Sequence, residues 1–158
     1  MIEQLKLLLR LKELKQDRAL RAVNTKRIEA SAALTELGRA QSHVSDSERT
    51  LPEREDAIYE PIIGRVIGHD EIEETKGRLW QLENQHAKLV DASERAVHVH
   101  ARLERQLKDA VAAHRQSMKE RDKYSMLTDT VRDQARSEAT YRDEIEIEDM
   151  FSSRRRRP

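Results

Sequence analysis

The residues of this chain best suited to chemistry are its six histidines, as metal ligands or proton carriers. His98 and His100 lie two apart, which on a helix turns them about 200° from each other. His86, His100 and His114 share a helical face, but each step between them is fourteen residues, about 21 Å of axial rise. No two can hold the same metal ion within one helix, so no metal and no other cofactor is expected. GxxxxGK[ST], GxSxG and HExxH are absent, and carboxylate pairs are frequent only because the whole surface is charged. An enzyme is not expected.

Other chemistries are narrowed in the same way. Basic and acidic residues balance at 30 each, whereas a dedicated nucleic-acid binder carries a basic surplus, so no nucleic-acid partner is expected. The run Arg154–Arg157 is the one feature that points toward acidic ligands, and a solvated end is the plainer reading. There is no cysteine, which fits a reducing compartment. MIEQLKLLLRLKELK breaks its leucines with charges, unlike a signal peptide or a membrane span, so no direct membrane insertion and a cytoplasmic location are expected. Trp80, the only tryptophan, either shields an apolar seam or anchors a partner.

These side chains must be carried on helices. The 158 residues are 38% charged and only 3% aromatic, too little apolar matter for a globular core but enough for a narrow seam. In the first fifty residues, steps of three and four link Ile2, Leu5, Leu9, Lys12, Gln16, Ala19, Val23, Lys26, Ala30, Ala33, Leu37, Ala40, Val44, Ser47 and Leu51. Eleven of these fifteen are apolar, the pattern of a coiled-coil seam. A second line runs Ile72, Thr75, Leu79, Leu82, His86, Leu89, Ser93, Ala96, His100, Leu103, Leu107, Ala110 and His114, then Tyr124, Val131, Ala135 and Ile145. Between the lines, YEPIIGRVIGHDE gathers Pro61, Gly64 and Gly68. A helix through them would lose about 1 kcal/mol per glycine and about 3 per proline, so the chain is expected to reverse there.

The expected fold is therefore all-α, a long antiparallel two-helix coiled-coil hairpin in one domain. Helix one spans 2–51 and ends before Pro52, the tip spans 52–69, helix two spans 70–148, and a flexible basic tail spans 149–158. The start of helix two carries a capping-box spacing at Asp70 and Glu73. Acidic residues at its far end oppose the helix dipole, so fraying is expected. Helix two is the longer, leaving residues beyond about 125 poorly covered. If residues with numbers summing to about 126 oppose one another, Lys12 meets His114 and Lys26 meets His100, two polar layers that would fix the register. Leu7, Leu8, Leu11, Leu14 and Leu34 lie off the seam and allow a four-helix homodimer.

Three blocks carry a resemblance: LLRLKELKQDRALRAVNTKRIEASAAL, REDAIYEPIIGRVIG and AHRQSMKERDKYSMLTDTVRDQARSEATYRDEIEIED. Together they resemble the YscO-type proteins of bacterial type III secretion systems, relatives of the flagellar export protein FliJ. That resemblance implies a non-enzymatic stalk and escort factor. It would link the hexameric secretion ATPase to the export-gate membrane protein and bind secretion chaperones, at the cytoplasmic base of the apparatus. The flagellar gate-contact spacing falls here on Thr75, Leu79, Leu82 and His86, with Thr75 in place of an aromatic and Trp80 adjacent. The resemblance also implies that the ATPase meets the open end of the hairpin, near Arg10, Lys15, Arg18, Arg132 and Arg136. A general coiled-coil scaffold or chaperone, with no ATPase partner and the tip as client site, is the alternative.

Overall fold

Leucine, alanine, glutamate, lysine and arginine fill about half or more of the positions on either side of the Pro61–Gly68 segment, and all favour helix. In the computed structural model, which describes residues 1–155, this composition yields an all-α two-helix hairpin. Helix α1 is Ile2–Tyr59, a 3-10 turn covers Glu60–Ile62, and α2 is His69–Arg155. No strand occurs among the described residues.

The reversal is built from short-range bonds. The Ile63 amide donates to the Tyr59 carbonyl at 3.2 Å, and the Arg65 amide donates to the Ile62 carbonyl at 3.4 Å. The Arg65 guanidinium donates to the Pro61 carbonyl at 3.1 Å. Gly64 takes a φ of +74°, a left-handed conformation that costs an L-residue energy and glycine almost none. The Ile72 amide then donates to the Gly68 carbonyl at 3.2 Å, opening α2.

Helix α1 does not stop at Pro52. It runs on to Tyr59 with Pro52 inside it, although proline there removes one i→i−4 bond and crowds the preceding turn. Leu51, Glu55 and Ile58 are half-buried on this last stretch, so packing offsets the local cost. At the other end α2 continues beyond residue 148 to Arg155. Arg154 and Arg155 lie in its last turn, where positive charge complements the dipole that the acidic run before them opposes. Arg156, Arg157 and Pro158, the remainder of the expected basic tail, lie outside the described residues.

All fifteen seam positions on α1 are buried or half-buried. The buried apolar residues are Val23, Ala30, Ala33, Ala40 and Leu82, so Leu82 is the one large side chain among them. Alanines at successive seam positions thin the seam and leave no bulk to hold the helices apart. On α2 the line from Thr75 to His114 is likewise covered, whereas Ile72, Ala135 and Ile145 are exposed.

The hairpin divides into two units. The terminal unit pairs Met1–Val23 with α2 from Ala110 onward, and the tip unit is Asn24–Asp109. In the terminal unit the Lys12 ammonium donates to Glu120 at 2.7 Å, six residues further along α2 than His114. In the tip unit the Lys26 ammonium donates to Gln106 at 3.0 Å, again six further than His100. The expected lysine–histidine layers are thus displaced by about one heptad. The same displacement extends coverage of α2 past residue 125: Met1, Ile2 and Glu3 share a groove with Val131, Gln134, Ala135 and Glu138. From residue 139 to 155 every α2 residue is exposed.

Candidate interaction sites

The first candidate face lies at the start of α2, in the tip unit. Thr75 is half-buried, and its hydroxyl donates to the Glu71 carbonyl at 2.8 Å. Leu79 is half-buried and Leu82 is 5% exposed. His86 Nδ1 lies 2.9 Å from the hydroxyl of Ser47, itself buried on α1. Thr75, Leu79, Leu82 and His86 therefore face α1, as their places on the heptad line require. Trp80, one residue off that line, is 64% exposed. An indole this open leaves most of its apolar face in water, the state in which an aromatic contributes most on meeting a partner.

The reversal extends that apolar character. Ile63 and Val66 stand in solvent, while Ile62 and Ile67 are half-buried. Arg65 and Glu71 approach to 3.8 Å across the turn. Two open aliphatics between these charges form a small apolar cap of the size a partner surface covers, not a membrane-inserting segment. No described helix is long and apolar enough to cross a membrane.

The second candidate face is in the terminal unit. Arg10, Lys15, Arg18, Arg132 and Arg136 are all exposed. Arg10 meets Glu13 at 3.4 Å, Arg132 meets Asp129 at 3.6 Å and Arg136 meets Asp133 at 4.0 Å, each three residues away on its own helix. Such exposed intrahelical pairs hold their charges weakly, so these cations remain free to meet another surface.

The polar seam within each unit has its own electrostatics. The Glu120 carboxylate accepts from Lys12 at 2.7 Å, and the Lys12 ammonium stands 5.2 Å from the Tyr124 ring centroid. The hydrogen bond that Lys12 donates to Glu120 raises the Lys12 pKa above its ordinary value, and the same bond lowers that of Glu120. Lys26 bridges Glu29 at 2.9 Å and Gln106 at 3.0 Å. His100 lies 3.5 Å from Glu104 on its own helix, and His114 is half-buried on the seam. Neither histidine receives a lysine. Glu120, Tyr124 and Gln106 are the partners that heptad counting missed, because their identities follow from the register and not from their own spacing.

A family model described as Type III secretion protein YscO matches residues 5–153. The chain belongs to the YscO family. Among solved structures, the crystal structure of the type III secretion protein YscO from Vibrio parahaemolyticus matches with a TM-score of 0.87 at 21% identity. That match covers 94% of this chain and 93% of the Vibrio chain, and at this identity it speaks to the fold alone. No curated protein matches the chain. Membership of the YscO family gives this hairpin a role in type III secretion and places its partners within the secretion apparatus. The faces just described are where such a protein has side chains to offer.

Proposed function

We propose that this protein is a non-enzymatic central stalk and escort component of its type III secretion system. Its terminal unit engages the hexameric secretion ATPase through Arg10, Lys15, Arg18, Arg132 and Arg136. Its tip unit meets the export-gate membrane protein through Trp80 and the apolar cap at Ile63 and Val66. Secretion chaperones bind the same protein as substrates are handed on, at the cytoplasmic base of the apparatus. The observation that carries this reading is the separation of surface chemistries. Exposed cations gather in the terminal unit, and an open indole with two open aliphatics lies in the tip unit. A contact built on exposed charges favours a weakly held, exchanging partner over a permanent one.

The gate contact expected at Thr75, Leu79, Leu82 and His86 is here assigned a supporting role. Those four pack on α1 and set the direction in which Trp80 points. A general coiled-coil scaffold with its client at the tip shares the apolar cap but gives the terminal cations no purpose. Hydrolysis rate and hexamer fraction of the cognate secretion ATPase, measured with and without this protein, test the proposal. Faster hydrolysis with more hexamer, lost on reversing Arg10 and Arg18 to glutamate, is the expected result. Unchanged hydrolysis at saturating protein would favour the scaffold.

A further inference from the structure

Helix α1 carries two apolar stripes in its first two heptads. One is the seam. The other is Leu7, Leu11 and Leu14, spaced four and three apart and turned about 180° from the seam on a helical wheel. These leucines are 68%, 55% and 46% exposed. A leucine heptad with no partner on the same chain is the pattern of a second helix–helix contact. Arg10, Lys15 and Arg18 flank it, making its borders basic.

Helix α2 carries the complementary surface. Ile145 lies fourteen residues, two heptads, after Val131, so it continues the α2 seam past the groove that Met1–Glu3 share with Val131, Gln134, Ala135 and Glu138. Tyr141 lies one turn before it. Both are exposed, as is the whole stretch from 139 to 155. Glu148 lies on this face, and Glu144 and Asp149 border it with acid, beside one cation, Arg142. The stretch is about 25 Å long at 1.5 Å per residue, the length of α1 from Ile2 to Arg18. The α2 overhang is continuous with its helix, so it cannot fold back on the leucines of its own chain.

We propose that the terminal unit forms a reciprocal homodimer in which the α2 overhang of one copy packs on the Leu7–Leu11–Leu14 stripe of the other. A two-fold arrangement satisfies both contacts at once, because each copy offers one overhang and one stripe. Charge selects this pairing over its rival. Stripe against stripe would bring Arg10, Lys15 and Arg18 of both copies together, whereas overhang against stripe sets carboxylates beside those cations. The dimer would also cover cations assigned above to the ATPase, so self-association and ATPase engagement would exclude each other. The contact itself does not depend on that assignment.

Sedimentation equilibrium of the full chain over a concentration series reads the dimer alone. The wild type is expected to reach twice the monomer mass, with a dissociation constant that weakens as salt screens the charged borders. Leu11→Glu and Ile145→Lys should each weaken dimerisation by about tenfold or more while leaving helicity by circular dichroism unchanged. If Ile145→Lys lost helicity, Glu148→Arg on the same overhang would take its place, and if Leu11→Glu did, Lys15→Glu beside the stripe would. An equimolar mixture of the two variants retains one intact contact and should associate more tightly than either alone. A wild type that stays monomeric to its solubility limit would overturn the proposal. So would a mixture no tighter than its components, since that outcome belongs to stripe-on-stripe pairing.

Discussion

Leu82 and Trp80 are two residues apart on α2, yet the structure gives them opposite duties. Replacing Leu82 with alanine removes three carbons from a side chain only 5% exposed. At about 0.8 kcal/mol per buried carbon the loss is about 2 kcal/mol. The added cavity cost stays at the low end of the usual range, because a two-helix seam is open at its sides and can close up. For a chain of this size each kcal/mol moves the melting temperature by about 2–4 °C, so Leu82→Ala should melt about 4–8 °C lower. Trp80→Ala removes a larger side chain, but one 64% exposed, and should shift melting by about 2 °C or less. Thermal unfolding followed by circular dichroism at 222 nm separates them. Equal shifts, or a larger shift for Trp80, would mean that the indole packs in the hairpin and is not held out for a partner.

Pro52→Ala restores an amide donor inside α1 and should stabilise the protein by about 2 kcal/mol. The helix-interior penalty of about 3 is reduced by the unfolded-state freedom that alanine regains, and urea unfolding would show the gain as a higher midpoint. Ser47→Ala leaves His86 Nδ1 without its partner in the seam and should cost about 1 kcal/mol, read by the same titration. The Lys12–Glu120 bond makes stability depend on pH at both ends. The lowered Glu120 pKa gives stability that is present above its unfolded value and lost as acid protonates the carboxylate. The raised Lys12 pKa gives stability present below its unfolded value and lost as alkali deprotonates the amine. Glu120→Gln should flatten both limbs of a melting-temperature profile between about pH 3 and 11, and a profile identical to wild type would contradict the pairing.

Much of this architecture is written in heptads. The α1 seam from Ile2 to Leu51 is covered at every position, because a periodic stripe has only one face to bury. The reversal at Pro61–Gly68 was legible for a different reason, since Gly64 supplies a conformation that other residues avoid. Pro52 misled, because a local penalty of a few kcal/mol does not end a helix when Leu51, Glu55 and Ile58 pack on both sides of it. The register was a separate assumption and lay about one heptad off, so Lys12 meets Glu120 where His114 was expected. Of the candidate sites, the exposed terminal cations were readable as residues between seam positions. The exposure of Trp80, Ile63 and Val66 was not, because an apolar residue beside a seam looks the same in sequence whether it shields the seam or faces water. The α2 overhang was legible as well, because Ile145 continues the second heptad line beyond the reach of the shorter helix, and residues 139–155 are exposed.

The most direct test of the account places a photo-crosslinking amino acid at Arg18 in the terminal unit, or at Trp80 in the tip unit, in cells with an assembled secretion apparatus. Adducts from position 18 should contain the secretion ATPase, and adducts from position 80 should contain the export-gate protein. One partner captured from both positions, or the two partners exchanged, would contradict the assignment of separate faces to separate partners.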